Sequence, residues 1–209
     1  MTSQRHTPEP TAARPAAEVS GQREIPDGVL AATRACVLAV GVRRTTLTDV
    51  ARRAGVSRMT LYRLVPDVTT LILEVMTREF AQLLVDAERS ASRRRSARAR
   101  LVTSTVELVR RLSEAPLFRR VADVDPELLL PYLTDRVGTT QRLAVGHVRR
   151  MVAEGMADGS IRRSDPDLLA TAVVLATTPY VVSARLFGGH DRDAVLGELG
   201  QMLDGWLHP

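Results

Sequence analysis

A four-residue turn, Ala54-Gly55-Val56-Ser57, lies between two short segments with helix-capping residues, and this arrangement constrains the fold more than any other feature of the chain. Thr46 can cap a helix over residues 47–54, and the glycine of the turn ends that helix. The serine of the turn can cap a second helix, from residue 58 to about residue 65. Two short helices joined by a tight turn that contains glycine are the layout of a helix-turn-helix.

The remainder of the chain also carries helical signals, and no segment shows the sustained alternation of apolar and polar residues that predicts a strand. The pairs Asp125-Pro126 and Asp165-Pro166 are start signals, because proline fits the first position of a helix. Pro179 predicts a kink in the helix that follows the second pair. We therefore predict an all-α protein, with a three-helix N-terminal domain, a larger helical domain and about nine helices in total. The predicted helices span about residues 27–40, 47–54, 58–65, 68 onward, a fifth ending near 114, 128–133, 135–157, 166–187 and 191–207.

Composition limits the classes of protein that this chain can represent. With 209 residues, of which 44% are apolar, it can bury one core and a small additional lobe. Cys36 is the only cysteine, which excludes a disulfide framework and a cysteine metal site and suits a reducing cytoplasm. The apolar run over residues 168–184 is too short and interrupted for a membrane helix, so we expect no membrane partner. The four histidines lack metal-ligand spacing, and there is no P-loop or GxSxG motif, so we expect neither an enzyme nor a cofactor.

The charge distribution predicts where the chain meets a polyanion. Residues 26–70 contain seven arginines and three aspartates, so this segment holds +4 of the formal net charge of +5. Residues 1–25 have no net charge and no apolar periodicity, which predicts a disordered tail. Such an asymmetry indicates a polyanion-binding lobe on a nearly neutral body. A second arginine run, over residues 89–100, is either a nucleic-acid patch or, more simply, a solvated junction between helices.

The second helix of the helix-turn-helix has residue types that contact DNA. Arginine can fork onto guanine, threonine can hydrogen-bond a base or a phosphate, and methionine can contact a thymine methyl group. Leu61 and Val65 lie four residues apart and can pack inward, which leaves residues 58, 59, 62 and 63 for the groove and its walls. A helical hairpin without a DNA role would explain each of these features singly, but not their combination with the local positive charge.

The turn followed by Thr60-Leu61-Tyr62 resembles the N-terminal helix-turn-helix of TetR-family (tetracycline-repressor-like) transcriptional regulators, and the resemblance extends over about residues 26–80. It implies a DNA-binding domain over residues 26–70 and an effector-binding and dimerisation domain over residues 71–209. It also implies a bacterial protein of the cytoplasm. The DNA-contact candidates that follow from the resemblance are Thr46, Thr48, Arg58, Met59, Thr60, Tyr62 and Arg63.

Three positions depart from the family pattern. Met59 stands where the family commonly has glycine, Leu64-Val65 replaces an aromatic pair, and Val68 replaces a lysine that touches phosphate. The loss of one phosphate contact is expected to weaken binding to all DNA sequences alike and to lower the salt slope by about one unit.

Two helices of the larger domain carry more apolar surface than one core can cover. Residues 168–182 are apolar on nearly every side, and residues 195–207 present more than one narrow stripe. Packing one face on the chain's own core and the other on a second copy buries both, and the TetR family dimerises in this way. A three-layer core within a monomer is the alternative. The predicted dimer-interface residues are Leu175, Val182, Leu199, Leu203 and Trp206.

TetR-like regulators bind small effectors in the helical body, and a few residues of this body are candidates for such a site. The segment over residues 177–180, Thr-Thr-Pro-Tyr, combines hydroxyl groups with a carbonyl that the proline leaves without a donor. His147 shares a helical stripe with Leu143 and Met151, where a histidine is either a satisfied core residue or a ligand contact. The effector candidates are Phe80, Leu108, Phe118, His147, Met151, Thr177 and Tyr180.

Together these features predict a homodimeric transcriptional regulator, with repression as the expected sign. Its expected partners are a palindromic double-stranded DNA operator and a small-molecule effector. Two alternatives stay open at this point. One is a TetR-like helical dimer that has weakened or lost DNA binding and acts through protein contacts, and the other is an all-α enzyme.

Overall fold

The computed structural model describes residues 24–128, 138–182 and 191–209, and all regular secondary structure in these ranges is helical. Nine α-helices lie within the described ranges, which confirms the predicted all-α class. The helices are α1 (Asp27–Val40), α2 (Leu47–Ala54), α3 (Arg58–Leu64), α4 (Val68–Ala91), α5 (Ala97–Glu114), α6 (Pro116–Val124), α7 (Thr139–Ala157), α8 (Pro166–Val182) and α9 (Arg192–Leu207). None of them is long and apolar enough to cross a membrane.

The helix-turn-helix, α2 and α3, is set by local caps as its sequence predicts. The hydroxyl oxygen of Thr46 accepts a hydrogen bond from the backbone N–H of Asp49 at 3.1 Å. The hydroxyl oxygen of Ser57 accepts from the N–H three residues later at 3.0 Å. Gly55 ends α2 with φ at 68°, in the left-handed region that glycine adopts without a Cβ clash.

The first of two hydrophobic cores holds α1, α2, α3 and the first half of α4 together. Its fully buried side chains include Val29, Val50, Leu61, Leu71 and Ile72. Helix α6 also contributes Leu117 and Val121 to this core, although it comes from the larger domain in sequence. The N-terminal helices are therefore packed directly on the body through α6.

The second core lies in the body, where α5 packs against α4, α7, α8 and α9. Its fully buried side chains include Leu101, Val152, Leu169, Leu199 and Leu203. Since α5 touches every other long helix of the body, a change in its position reaches all of them.

One helix of the structure is absent from the sequence prediction. Helix α6 has only one local start signal, Pro116 at its first position, and the sequence patterns do not predict it. Helix α3 ends at Leu64, within one residue of its predicted end, because Val65 is extended ahead of a proline. The arginine run over residues 89–100 contains the junction between α4 and α5, which supports the simpler of its two interpretations.

Several predicted helix ends lie outside the described residues. The 3₁₀ turn Pro126–Leu128 follows α6 where a longer helix is predicted, and the predicted helix over residues 128–133 lies almost wholly beyond the description. Helix α7 is described from Thr139 and α8 up to Val182, with Pro179 inside α8. Residues 1–23 of the predicted tail also lie outside the description.

Candidate functional site

Helices α1, α2 and α3 together form the N-terminal unit. Helix α3 exposes most of its side chains on the surface of this unit. Leu61 is its one fully buried residue, whereas Met59 is 69% and Tyr62 is 57% exposed. Because Leu61 and the partly buried Leu64 hold the helix on the first core, its other faces are free to enter a DNA groove. The exposed residues of α3 are Arg58, Met59, Thr60, Tyr62 and Arg63.

The three threonines among the predicted DNA contacts are less available to DNA than the other candidates, because their hydroxyl groups are hydrogen-bonded or their side chains are partly buried. Thr46 Oγ1 donates to Asp49 Oδ2 at 2.6 Å while it accepts from the N–H of the same residue. Its only hydroxyl proton is therefore used, and in this arrangement Thr46 has no donor left for a phosphate oxygen. The hydroxyls of Thr60 and Ser57 hydrogen-bond each other at 2.8 Å, and Thr48 is half-buried on α2.

Several exposed arginines of the N-terminal unit are available to a polyanion. Arg52 pairs with Asp49 at 2.7 Å. A hydrogen bond from Thr46 and, to a smaller degree, the charge of Arg52 hold the pKa of Asp49 below its usual value. Other arginines of the same unit have no such partner. Within the described ranges, no carboxylate lies at ion-pair distance from Arg44, Arg53, Arg58 or Arg63.

Two of the departures from the family pattern lie against the first core. Val65 is buried, and Leu64 and Val68 are partly buried and pack on the same core. Asp67 caps α4 by accepting the N–H of Thr70 at 2.6 Å. The first turn of α4, residues 68–71, therefore carries no cationic side chain for a phosphate.

A cavity of about 170 Å³ lies in the body between α4, α5, α6, α7 and α8. Met151 and Tyr180 do not line it, because both pack on the second core, where Met151 is buried and Tyr180 partly buried. The structure brings the other five predicted effector residues together around the cavity: Phe80, Leu108, Phe118, His147 and Thr177.

Sequence reasoning missed several residues that line the same cavity. Those on α5 and α8 repeat every three or four residues from Leu108 and Thr177, so helical spacing could have found them. Those on α7 are spaced in the same way, three or four residues apart, around His147. The missed residues are Leu84, Ser104, Thr105, Val109, Leu112, Thr140, Gln141, Ala144, Val148, Val173, Val174, Thr178 and Val181.

His147 combines burial with two charged neighbours. Its side chain is 8% exposed, its Nδ1 lies 3.0 Å from Arg150 Nη2, and Glu88 Oε2 is 3.8 Å from the same nitrogen. Burial lowers the pKa of the imidazole, and Arg150 lowers it further, while Glu88 and Glu154 raise it. Nε2 on the opposite side of the ring is buried and has no hydrogen-bond partner among the described residues.

Helix α6 connects the cavity with the N-terminal helices. Phe118 lines the cavity, whereas Leu117 and Val121 of the same helix are fully buried in the first core. Side chains one and three residues from Phe118 therefore pack under the N-terminal helices α1–α3. A shift of α6 along its axis would therefore move side chains in the cavity lining and in the first core together.

The residue that follows α6, Asp125, is hydrogen-bonded to the loop between α1 and α2. Asp125 is 1% exposed, and its Oδ2 accepts the backbone N–H of Val42 at 2.7 Å. Its Oδ1 lies 3.6 Å from Nε of Arg43, which also pairs with the exposed Glu127. Gly41 has φ at 84°, and a Cβ there would come within 3.2 Å of Asp125 Oδ2, so both conformation and space favour glycine.

The predicted dimer residues divide into two groups, and this corrects part of the prediction. Leu199 and Leu203 are 0% and 2% exposed in the second core, so they pack inside this chain and cannot face a partner. Leu175 is 68% and Trp206 40% exposed. The side chain of Val182 lies outside the described residues. Leu168 on α8 and Met202 on α9, which sequence reasoning did not single out, are also exposed.

No catalytic or metal centre emerges from the part of the chain that the structure describes. It contains no group of three histidine, cysteine, aspartate or glutamate residues that could hold a metal ion. Cys36 is buried in the first core, where burial raises the pKa of its thiol. It is therefore a core residue, as its helical stripe predicts.

Comparison with known proteins agrees with this geometry. The family model described as "Bacterial regulatory proteins, tetR family" matches residues 29–66. A curated relative, an uncharacterised HTH-type transcriptional regulator of Mycobacterium tuberculosis, is 33% identical over 180 residues, which cover 86% of this chain and 92% of the relative.

Solved structures with little sequence similarity share the fold. The TetR-family repressor AlkX of a Dietzia species, implicated in n-alkane biodegradation, is 20% identical with a TM-score of 0.65, over 90% of this chain and 97% of that one. The regulator FadR of Bacillus subtilis in complex with stearoyl-CoA is 14% identical with a TM-score of 0.59, over 87% of this chain and 99% of that one. Curated relatives and fold alike are those of transcriptional regulators rather than enzymes.

Proposed function

The chain belongs to the TetR family of bacterial transcriptional regulators, and from that premise we propose that it represses transcription by binding a palindromic operator as a homodimer and that a small molecule in the body cavity releases it. The observation that carries the proposal is α6. This one helix lines the cavity with Phe118 and packs Leu117 and Val121 under the helix-turn-helix. A ligand against Phe118 thereby has a direct route to the DNA-facing helices.

The DNA-binding part of the proposal rests on shape and charge. Helix α3 presents five exposed side chains, and four arginines of the same three-helix unit have no carboxylate partner in the part of the chain that the structure describes. Binding of a labelled duplex from the DNA flanking the gene, followed by fluorescence anisotropy at several salt concentrations, tests it. A two-fold symmetric dimer should select an inverted repeat from random duplexes, because its symmetry must match that of the site. Recovery of non-palindromic sites, or no enrichment at low salt, would favour a helical dimer that acts through protein contacts.

Arg58 and Arg63 are expected to play different roles, and their alanine variants should separate them. If Arg58 forks onto a guanine, Arg58→Ala costs about 1–3 kcal/mol of operator affinity and relaxes the preference at one base position. If Arg63 contacts phosphate, Arg63→Ala weakens all sequences alike and lowers the salt slope by about one unit. Arg94→Ala removes the same charge at the exposed α4–α5 junction and serves as the control, with both affinity and slope unchanged. Equal losses in all three variants would contradict specific roles for α3.

The effector part of the proposal rests on the cavity and on the related structures. The B. subtilis regulator FadR was solved with stearoyl-CoA, which shows that this fold can hold a small molecule. The cavity of this chain is lined mainly by apolar side chains and meets helices from both cores. These features support a ligand that changes the position of the DNA-facing helices when it binds.

The contact between Asp125 and Val42 is expected to couple the two parts. Asp125→Ala leaves the N–H of Val42 without its acceptor, which should cost about 1–3 kcal/mol of unfolding free energy. The variant should still bind the operator but respond less to any ligand that releases the parent protein. Chemical denaturation and operator titration with and without ligand measure both effects.

Glu127→Ala is the matched control for Asp125→Ala. Glu127 also pairs with Arg43, but it is exposed and accepts no hydrogen bond from the described backbone of the α1–α2 loop, so its loss should cost less stability than the loss of Asp125. If both variants behave alike, the buried hydrogen bond is not the coupling element.

A further inference from the structure

We propose that the cavity takes an uncharged, mainly apolar molecule with one hydrogen-bond-accepting oxygen, and that His147 donates a hydrogen bond from Nε2 to that oxygen. The inference rests on the proposed function, since it describes the ligand of the same cavity. It is carried by three observations: the absence of charge among the described lining residues, the state of the lining hydroxyls, and the tautomer that Arg150 imposes on His147.

The first observation is electrostatic. Of the described residues that line the cavity, none is arginine, lysine, aspartate or glutamate. An ionised group moved from water into such surroundings loses its hydration without gaining an ion pair, which is costly. A carboxylate or an ammonium ligand is therefore disfavoured, and a neutral molecule is favoured.

The second observation concerns the hydroxyl groups of the lining. Thr177 Oγ1 donates to the carbonyl of Val173 at 2.9 Å, and Thr178 Oγ1 donates to that of Val174 at 2.7 Å. Ser104 Oγ donates to the carbonyl of Leu101 at 3.1 Å. Of the five hydroxyl groups in the described lining, these three therefore use their protons within their own helices. Among the described lining residues, the buried polar side-chain atom without a partner is His147 Nε2.

The third observation determines what Nε2 can do. Arg150 Nη2 lies 3.0 Å from Nδ1 of His147, and a guanidinium can only donate, so Nδ1 must accept. The 3.8 Å between Nδ1 and Glu88 is too long for a hydrogen bond that would reverse this assignment. A neutral imidazole that accepts at Nδ1 carries its proton on Nε2. The buried Nε2–H therefore lacks an acceptor, and His147 belongs to the cavity lining. A ligand that turns the imidazole ring toward the cavity would satisfy Nε2–H with a carbonyl, ether or hydroxyl oxygen.

The volume of the cavity sets a scale for the ligand. At about 170 Å³ it is slightly larger than engineered cavities of about 150 Å³ that bind benzene. A single ring with a small oxygen-bearing substituent therefore fits without enlargement of the cavity.

Three fluorinated probes of nearly equal size test the inference in the full-length protein. 4-Fluoroacetophenone is neutral with a carbonyl acceptor, 4-fluoroethylbenzene replaces the carbonyl by a methylene, and 4-fluorobenzoate carries a charge. Fluorine NMR line broadening measures each dissociation constant without DNA. We expect the ketone to bind at least about tenfold more tightly than the benzoate, since the latter buries an unpaired charge. Tighter binding of benzoate, or no binding of either neutral probe up to its solubility, would overturn the proposal.

The role of His147 is tested by the ratio of ketone to hydrocarbon affinity, which cancels their different hydrophobicity. In His147→Phe this ratio should fall by about three- to tenfold, the worth of one hydrogen bond. His147→Gln, which keeps a donor, should restore part of it. His208→Phe changes an exposed histidine outside the cavity and should leave the ratio unchanged. An unchanged ratio in His147→Phe would remove the histidine from the proposal.

The tautomer gives a readout that does not depend on any ligand. Nitrogen-15 NMR of the imidazole at pH 7.5 should show a neutral His147 with its proton on Nε2. A proton on Nδ1, or an imidazolium stabilised by Glu88 and Glu154, would overturn the donor assignment. Neutral probes that bind as expected without loosening the operator complex would instead contradict the proposed release mechanism and leave the ligand class intact.

Discussion

A chain that carries Leu168→Glu and Leu175→Glu is expected to sediment as a folded monomer and to lose specific operator binding. The two leucines lie seven residues apart on α8 and are 64% and 68% exposed, so they share one helical face. Met202 and Trp206 expose further apolar surface on α9. A second copy that covers this face would bury it, and two glutamates would place charges inside the interface.

The expected loss of operator affinity follows from the two half-sites of a palindrome. A monomer contacts one half-site, and the loss of the linked second contact should weaken binding by about 100-fold or more. Sedimentation equilibrium at micromolar concentration and anisotropy with a full palindrome and a half-site measure the two consequences. The variant should bind the full site no better than the half-site.

Two further variants separate assembly from folding. Val85→Glu adds the same charge at an exposed position on α4 and should remain a dimer. Leu199→Glu buries a carboxylate in the second core and should unfold the body rather than produce a monomer. A monomeric parent protein at micromolar concentration, or a double variant that stays dimeric, would show that this face is not the interface.

The second large effect is expected from Leu61→Ala. Leu61 is the one fully buried residue of α3, a seven-residue helix, and it packs in the core that holds the N-terminal helices together. Truncation of a buried leucine typically costs 2–5 kcal/mol, through lost burial and the cavity that remains. The N-terminal unit should lose stability by about this amount and operator binding should fall with it. Denaturant unfolding followed by circular dichroism, together with anisotropy, measures both.

Met59→Ala is the natural comparison because it removes a similar volume from the same helix. Met59 is 69% exposed, so its truncation should leave the unfolding free energy within about 0.5 kcal/mol of the parent value. Any change in operator affinity then reports a contact with DNA. If Leu61→Ala keeps full stability, α3 is held by contacts other than this side chain.

The features that the sequence alone determined are those that depend on neighbours three or four residues apart. Thr46 and Ser57 cap α2 and α3 through N–H groups three residues ahead, and Gly55 closes α2 within the same turn. These capping hydrogen bonds join residues only three positions apart and form together with the helix end itself. They can therefore be predicted without knowing the fold. The same holds for the exposure of α3, since a short polar helix with two leucines leaves little to bury.

Other features depended on which segments meet in space. An apolar helix has no marked inner face, so the sequence could not tell that Leu199 faces the chain's own core while Leu175 faces outward. The role of His147 was left open for the same reason. Its neighbour Arg150 is local, but Glu88 comes from another helix and the cavity from five of them. Helix α6 has only Pro116 as a local signal, and its contact with both cores arises only when the body and the N-terminal helices pack together. Tertiary packing alone decides these points, because burial and long-range contacts belong to the assembled chain and not to any one segment.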